Sequence, residues 1–371
     1  MLPLMLPLNW QRVRLGDICE INPPTIIPNV FYYIDLENVE KGQLLNKQLM
    51  TKNKAPSRAR RLLSKNDILY QLVRPYQRNN YFFTLNGNYV ASTGYAQIRT
   101  LQNPSFLYFA LHSNYFVNAV LDRCEGTSYP AISSNELKKC EVILPPLNEQ
   151  SAIANILGAL DRYLCALDAL ILKKEGVKKA LSFELLSQRK RLKGFNQAWQ
   201  RVRLGDIANY LTSNLSVEQI TQQGKIKVYD VNNFIGYTDT TFISDKPYIS
   251  IVKDGSVGRV RILPPKTNIL STMGALIANH RTTTEFLFYL LSNFDFKNFT
   301  SGSIIPHIYF KDYKEKTIFL PPLNEQSAIA NILSDLDNEI TSLKNKKRQF
   351  ENIKKALNHD LMSAKIRVLK K

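Results

Sequence analysis

The chain has 371 residues and a formal net charge of +18. Its length is too great for one ordinary domain and predicts two or three globular units. No stretch reaches the roughly 18–20 apolar residues that a membrane helix needs, which excludes a membrane span. The positive charge is spread along the chain. This distribution favours a long polyanionic partner such as nucleic acid, with surplus surface lysine for solubility as the alternative.

The first residues, MLPLMLPLN, are apolar, but they are few and lack a preceding basic segment. With prolines at positions 3 and 7 they make a poor signal peptide. The four cysteines (19, 124, 140 and 165) form no C-x-x-C pair and no cluster with zinc spacing. We therefore expect a cytoplasmic protein in a reducing compartment, with no metal and no cofactor.

Residues 1–143 form the first predicted globular domain. Short β-rich runs such as Phe31–Ile34 alternate with Gly, Pro and Asn, a pattern typical of strands and turns. The segment Ser105–Leu121 is predicted to be a helix near the end of the domain. The domain is therefore expected to be of the mixed α+β class.

Residues 144–198 are predicted to hold a long helix and a linker. Pro145 and Pro146 end the preceding element, Asn148 is the predicted N-cap, and Glu149 in the first turn complements the helix dipole. Beyond them the apolar residues follow steps of four and three, which define a coiled-coil seam. The seam consists of Ile153, Leu157, Leu160, Leu164, Leu167, Ile171, Leu181 and Leu185.

The rest of the chain repeats this plan. WQRVRLGDI occurs at 10–18 and again at 199–207, and LPPLNEQSAIANIL occurs at 144–157 and again at 320–333. A second mixed α+β domain is expected over 199–319, with a strand at Ile226–Tyr229 and a helix at Thr284–Leu291. A second coiled-coil helix is expected over 320–371, with Asn324 as N-cap. Its seam consists of Ile329, Leu333, Leu336, Ile340, Leu343, Phe350, Leu357 and Leu361.

The two seams have the same phase, because an offset of 176 residues maps one onto the other. A duplication with pseudo-two-fold symmetry would pair the helices antiparallel and separate the two domains. Two amphipathic helices, each packed on its own globular core, are the alternative.

These motifs resemble those of the specificity subunit of type I restriction–modification complexes. The resemblance lies in a domain that opens with W-x-x-x-x-L-G-D-I, a closing Gly-Ser/Thr segment, and L-P-P-L-x-E-Q-x-x-I-A ahead of a long heptad helix. The tract from Lys178 to Leu186 also resembles the end of the family's first conserved helix. The motifs occur twice, in family order, over nearly the whole chain.

The resemblance implies that each domain is a target-recognition domain for one half of a split DNA site. It implies that the helices set the distance between the halves, that they dock two methyltransferase subunits, and that two restriction–translocase subunits join the complex. The specificity subunit itself would be non-catalytic. The residues agree, because domains with matching edges but divergent interiors (19–125 and 208–301) suit an asymmetric double-stranded DNA target rather than a palindrome.

Basic and hydroxyl side chains are the candidates for DNA contacts, because arginine can bind guanine with two hydrogen bonds worth about 1–3 kcal/mol. A solvated charge or a turn hydroxyl is the alternative for each of them. In the first domain the candidates are Arg58, Arg60, Arg61, Arg74, Arg78, Thr93, Tyr95, Thr127, Ser128 and Tyr129. In the second domain they are Lys246, Lys253, Ser256, Arg259, Arg261, Thr272, Ser303 and His307.

One further motif and several missing ones bear on whether the chain is an enzyme. Asn22-Pro23-Pro24-Thr25 is similar to the N-P-P-[YF] motif of amino-methyltransferases but lacks the aromatic residue, so a turn is the favoured interpretation. The chain has no G-x-x-x-x-G-K-[ST] phosphate loop, and its four histidines are scattered, so a nuclease or methyltransferase is disfavoured. The main alternative function is a basic coiled-coil scaffold or adaptor, with RNA as one candidate ligand, that has no methyltransferase partner.

Overall fold

The computed structural model describes residues 6–369. The segment MLPLM, on which the signal-peptide interpretation partly rests, lies outside the described residues. The chain divides into two compact units. The first joins the residues up to Asp168 with those from Lys346 onward, and the second is Ala169–Asn345. Helices and strands are mixed in both units, which confirms the α+β prediction.

The first globular domain consists of short strands and helices, and a 40-residue helix follows it. In chain order the elements are β1 Gln11–Arg14, α1 Leu15–Ile18, β2 Cys19–Ile21, β3 Val30–Ile34, β4 Val39–Glu40, β5 Gln43–Leu44, β6 Gln48–Thr51, β7 Ala59–Leu62, β8 Ile68–Gln71, β9 Tyr81–Phe82, β10 Tyr89–Ser92, β11 Tyr95–Thr100, α2 Pro104–Ala110, α3 Asn114–Leu121, α4 Ser134–Lys139, β12 Glu141–Leu144 and α5 Leu147–Leu186.

Two four-stranded sheets form the body of this domain, in the orders β6-β3-β10-β7 and β2-β11-β8-β9. Strand β8 is buried on both faces. Leu69 belongs to the core cluster that joins the two sheets. Its neighbour Tyr70 belongs to the cluster shared with the helices, where its ring meets that of Phe116 at 5.7 Å. Alternation along one strand therefore builds both cores.

The single helix predicted over Ser105–Leu121 is wrong, because the segment forms two helices. Asn103 caps α2 by accepting a hydrogen bond from the Phe106 N–H, at 2.9 Å. The hydroxyl of Ser113 caps α3 by accepting from the Phe116 N–H, at 3.2 Å. A second N-cap of this kind starts a new helix within an apolar pattern that continues unbroken.

The second domain has the same style of elements and also leads into a 40-residue helix. In chain order they are β13 Gln200–Arg203, β14 Ala208–Thr212, β15 Ile226–Tyr229, β16 Phe234–Thr238, β17 Tyr248–Val252, β18 Val260–Leu263, β19 Asn268–Ile269, β20 Met273–Ala278, α6 Thr284–Ser292, α7 Phe310–Tyr313, β21 Thr317–Leu320 and α8 Leu323–Met362.

The sheets of the two domains share one topology. The order β14-β20-β17-β18 reproduces β2-β11-β8-β9, and β16-β15-β19 reproduces β6-β3-β10. The parallel pairing of β3 with β10 recurs between β15 and β19. The internal repeat is therefore confirmed and extends into the divergent interiors. Among the described strands of these sheets, only β7 lacks a counterpart.

The repeated sequence motifs close each domain onto the helix that follows it. Strand β1 pairs with β12, and β13 pairs with β21. The indole N–H of Trp10 donates to Glu149 Oε2 at 3.0 Å, and that of Trp199 donates to Glu325 Oε2 at 3.0 Å. Both carboxylates are buried, so these tryptophans fix the first turn of each long helix against its domain.

An arginine completes each of these buried sites. Arg367 donates to Glu149 through Nε and Nη2, at 2.7 and 2.9 Å. Arg191 donates to Glu325 in the same way, at 3.1 and 2.7 Å. The sequence interpretation missed these pairs, although Arg191 and Arg367 lie 176 residues apart, at the offset of the repeated motif. Glu149 and Glu325 are therefore buried ion-pair residues, and complementing the helix dipole is a lesser part of their role.

The predicted N-caps are two residues late, because Pro146 and Pro322 directly precede the first helical residues. The long helices begin at Leu147 and Leu323, so Asn148 and Asn324 already lie inside them. The carbonyl of Pro146 accepts hydrogen bonds from the N–H groups of Glu149 and Gln150, both at 2.9 Å. Proline lacks only the N–H donor, and its carbonyl remains a normal acceptor. A proline can therefore accept the first hydrogen bonds of a helix.

Within each unit the long helices pair antiparallel, as predicted. In the first unit Asp161 pairs with Lys354, and Asp168 pairs with Lys347 at 2.5 Å, so an advance of one heptad on α5 matches a step back of one heptad on α8. In the second unit Lys174 pairs with Glu339 at 2.8 Å and Lys178 with Asp337 at 2.5 Å. The residues of both predicted seams are buried or half-buried, which confirms the heptad pattern.

Candidate nucleic-acid interface

In the first domain a closing loop, residues 125–131, is hydrogen-bonded to the turn that follows β8. The Arg74 N–H donates to the Pro130 carbonyl at 2.7 Å, and the Ile132 N–H donates to Leu72 O at 3.0 Å. Glu125 and Ala131 exchange both of their backbone hydrogen bonds. The predicted segment Thr127–Tyr129 therefore forms the exposed tip of a rigid loop.

The second domain repeats this set of backbone hydrogen bonds, which we call the backbone frame, with other side chains. Its closing loop, residues 301–307, is held by the Gly255 N–H, which donates to Pro306 O at 2.9 Å. The Ile308 N–H donates to Lys253 O, also at 2.9 Å. Gly255 thus occupies the place of Arg74 in a matching set of hydrogen bonds.

The first frame presents an arginine stacked on a tyrosine. The Arg74 guanidinium lies 4.2 Å from the centre of the Tyr129 ring, and Tyr129 is 65% exposed. Arg74 has a φ of 53°, in the left-handed region that costs a non-glycine residue about 1 kcal/mol or more. A stacked guanidinium keeps its N–H edge free for two parallel hydrogen bonds to a base or a phosphate.

The second frame presents a histidine held by a carboxylate. His307 Nδ1 lies 2.7 Å from Asp254 Oδ1. The two residues also form an isolated β-bridge. The sequence interpretation missed Asp254, because its pairing with His307 depends on strand register across 53 residues. The contact fixes the imidazole ring at the rim of the closing loop.

Backbone hydrogen bonds bring further predicted residues to the same surfaces. In the first domain the Thr93 N–H donates to Arg58 O at 2.8 Å. The Leu72 N–H donates to the carbonyl oxygen of Gly94, the residue after Thr93, at 3.0 Å. In the second domain the Lys253 N–H donates to Thr272 O at 3.1 Å. The two turns lie between β10 and β11 and between β19 and β20, and the matched hydrogen bonds put Thr272 at the place of Gly94. The loose sequence correspondence between Ser92-Thr93 and Ser271-Thr272 therefore finds the right turn but is one residue out of register.

Several predicted residues lie elsewhere. Tyr95 is fully buried, and a buried hydroxyl has no access to DNA, so we leave it out of the interface. Arg78 donates to the His112 carbonyl at 2.9 Å and to Asn114 Oδ1 at 2.7 Å, which ties its turn to the start of α3. Lys246 precedes β17, at the end of the strand opposite to the Asp254 turn.

Two of the remaining basic residues, Arg58 and Arg261, are held by local contacts. Arg58 forms an ion pair with Asp35, and its Nε donates to Tyr33 Oη at 3.3 Å. Arg261 stacks on Tyr229, with 5.3 Å between guanidinium and ring centre. Its Nη1 donates to a backbone carbonyl at 2.9 Å. Arg259, Ser256 and Ser303 are exposed around the same turn and closing loop of the second domain.

Asn22 confirms the turn interpretation of the N-P-P-T segment. Its Nδ2 donates to Ser134 Oγ at 2.8 Å, and its Oδ1 accepts from the Gln97 N–H at 3.0 Å. Asn22 follows β2 with a φ of 57°, a left-handed conformation that asparagine tolerates well. Both ends of the amide group are therefore used in holding strands and a helix together.

Two absences hold for residues 6–369. No group of three or more His, Cys, Asp or Glu side chains there could hold a metal ion. None of the helices in that part of the chain is long and apolar enough to cross a membrane.

Replacing Gly302 by alanine is expected to disrupt the second closing loop. Gly302 has a φ of 89°, and a Cβ there would lie 2.3 Å from the Ile305 carbonyl oxygen. The matched substitution Gly126→Ala would place its Cβ 3.3 Å from Tyr129 O, so it should be milder. We expect Gly302→Ala to weaken DNA binding by the second domain about tenfold, measured by fluorescence anisotropy. Equal effects of the two substitutions on binding would contradict the steric argument.

Comparison with known proteins places the chain beside one group. The model described as type I restriction modification DNA specificity domain matches residues 7–174 and 196–352. The MjaVIII specificity subunit of Methanocaldococcus jannaschii is 22% identical over 98% of this chain and 95% of its own length. The HindI specificity subunit of Haemophilus influenzae is 29% identical over 41% of this chain and 35% of its own length.

Solved structures share the fold. The S subunit of a type I restriction–modification system from M. genitalium has a TM-score of 0.63 and 20% identity, covering 96% of this chain and 98% of its own. A chain solved in work on complex assembly and conformational transition of a type I R-M system has a TM-score of 0.62 and 22% identity. It covers 97% of this chain and 99% of its own.

Proposed function

We propose that this chain, which belongs to the family of type I restriction–modification DNA specificity subunits, reads a bipartite and asymmetric DNA site with its two recognition domains. In this proposal residues 1–143 read one half-site and residues 199–319 read the other. Residues 144–198 and 320–371 supply the coiled-coil helices.

The observation that best supports this proposal is that the same backbone frame presents different side chains in the two domains. Arg74 and Tyr129 occupy it in the first domain, and Asp254 and His307 in the second. Identical frames suit related positions on two stretches of duplex DNA. Different side chains suit different bases, because sequence is read through base edges in the grooves.

Arg74 is the strongest proposed base reader. Its guanidinium is stacked, and a bidentate contact to guanine O6 and N7 is the commonest specific arginine contact. We therefore propose a guanine–cytosine pair at the position read by Arg74. Thr93, Thr127 and Ser128 are proposed to bind nearby phosphates or base edges.

The long helices are proposed to dock two methyltransferase subunits, and two restriction–translocase subunits would join the complex. Supporting this, α5 keeps large apolar side chains exposed, among them Leu172 at 71% and Phe183 at 53%. Exposed apolar side chains on a regular helix suit a protein partner. The chain itself would act without catalysis or cofactor, in the cytoplasm.

Co-expression with an N6-adenine methyltransferase, followed by mapping of modified adenines on genomic DNA, tests the proposal. We expect methylation within one bipartite motif whose two halves differ. Methylation without a bipartite motif, or no binding to the methyltransferase, would sink the proposal. RNA binding stronger than duplex binding would favour the scaffold alternative instead.

Lengthening both helices by one heptad is expected to lengthen the unspecified spacer of the methylated motif. The insertions would follow Leu167 in α5 and Lys347 in α8, so that Asp168 stays opposite Lys347 and the ion-pair register is kept on both sides. Seven helical residues add roughly 10 Å, or about three base pairs at roughly 3.4 Å each. Motif mapping reads the spacer directly. An unchanged spacer would refute a ruler role, and insertion into α5 alone is the control that breaks the register.

A further inference from the structure

A cleft of about 450 Å³ opens in the first globular domain beside β7. We call it the β7 cleft. Its apolar part includes Ile27 and Phe31, and three cations line it: Lys52, Arg60 and Arg61. None of the described residues that line it is a carboxylate. A volume of this size holds a small ligand group, and a lining with only positive charges selects an anion.

Arg61 is the cation of the cleft that an anionic ligand would stabilise most. Its Nε is buried and has no hydrogen-bond partner within residues 6–369. Burial, together with the neighbouring charge of Arg60, lowers the pKa of Arg61. A half-buried guanidinium with an unsatisfied donor is stabilised by any acceptor that reaches it, and by an anionic acceptor most of all.

The surrounding groups are already fixed in place. Arg60 Nε donates to the Ser57 carbonyl at 2.7 Å, which holds the second arginine at the cleft. The N-P-P-T turn also lines the cleft, with Asn22 anchored to Ser134 and Thr25 Oγ1 donating to Arg60 O at 3.5 Å. The site is thus built from β7, the N-P-P-T turn and the short 3-10 helix Lys52–Lys54 before any ligand binds, so little conformational entropy is lost on binding.

We propose that the β7 cleft binds a phosphate group and that the DNA backbone of the first half-site supplies it. Arginine guanidinium groups match the geometry of phosphate oxygens, and a lysine adds a further charge. Ser57, which lines the cleft, adjoins Arg58, whose carbonyl accepts from the Thr93 N–H of the candidate interface. The proposal rests on the DNA-reading function and adds a positioning contact to it.

Strand β7, which carries the two arginines of the cleft, has no counterpart among the described strands of the second domain. The two half-sites should therefore differ in how strongly salt weakens their binding. A phosphate contact positions the duplex without reading sequence. It follows that the first domain holds its half-site with an electrostatic contact that the second domain lacks.

Salt titration of duplex binding by the full chain tests the site. For Arg61→Gln we expect target and non-target duplexes to lose affinity by the same factor, about tenfold. The slope of log affinity against log salt should fall in magnitude by about 0.9, the value for one lost phosphate contact. Lys65→Gln is the matched loss of one exposed charge outside the cleft. It should leave the slope unchanged.

Further arms separate the alternatives. Arg61→Lys keeps the charge and should keep the salt slope, and a thermal denaturation midpoint of Arg61→Gln close to that of the wild type shows that the glutamine variant is folded. An unchanged slope for Arg61→Gln, or a loss of preference at a single base, would overturn the proposal. If inorganic phosphate binds the free chain in an Arg61-dependent way while the slope stays unchanged, a free phosphate ligand replaces the DNA backbone as the source. The methylation map of the wild type judges the DNA-reading function separately.

Discussion

Glu325→Ala is expected to destabilise the unit Ala169–Asn345 by about 3 kcal/mol or more, since removal of one partner strands the rest of a buried polar cluster. Glu325 is 0% exposed and accepts hydrogen bonds from Trp199 and Arg191. The buried Trp199 indole would lose its acceptor, and Arg191, whose side chain is 25% exposed, would keep the Gln197 carbonyl as its acceptor. Hydrogen exchange should rise first in the initial turns of α8, and thermal denaturation should show the loss of stability.

Two variants control this prediction. Glu325→Gln keeps the shape and one acceptor oxygen, so its loss of stability should be smaller. Glu149→Ala removes the equivalent carboxylate beside Trp10 and Arg367. Its largest increase in hydrogen exchange should fall in the first unit. A Glu325→Ala protein as stable as the wild type would show that the cluster adds no net stability.

Exchange of residues 19–125 for the matching segment of a relative is expected to replace one half-site completely and leave the other half and the spacer unchanged. The frame that closes the domain lies outside the exchanged segment. Strands β1 and β12 still pair, and Trp10 still donates to Glu149. Specific recognition exceeds non-specific binding by 10³-fold or more, so methylation of the old motif should fall to background.

The boundary of the exchange can be sharpened with the structure. Residues 19–125 include Arg74 but leave Tyr129, on which its guanidinium stacks, to the recipient. Extending the exchange to residue 131 transfers both side chains and the whole closing loop. We expect the longer exchange to give the cleaner switch, and the reciprocal exchange of 208–301 to alter only the other half-site. A change in both halves from either exchange would contradict independent reading.

Repeats and periodicity predicted the architecture because their signals are local. Identical motifs revealed the duplication, and its pseudo-two-fold symmetry predicted the antiparallel helices. The same local signals gave strands such as Ile226–Tyr229 correctly. They gave one helix where a serine cap makes two, because an apolar pattern does not reveal a side-chain cap at Ser113.

The candidate site was less predictable because its contacts join distant residues. Tyr95 looked like a surface hydroxyl, yet its alternation along β11 places it in the core. Arg78 looked like a DNA-facing cation, yet it donates hydrogen bonds to residues that lie 34 and 36 positions further along the sequence. Asp254 and the β7 cleft depend on sheet register. Composition identifies the residue types, while register decides which of them meet.

The two Glu–Arg pairs also bear on the order in which the protein is made. The second unit is one continuous stretch, and its pair closes as soon as Glu325 has emerged after Arg191. The first unit has its Glu149 early in synthesis, but Arg367 follows 218 residues later. At roughly 5–20 residues per second, that delay is roughly 10–40 s. During that delay the Glu149 carboxylate of the first domain should stay solvated, and we expect the domain to reach its final stability only after Arg367 has emerged from the ribosome.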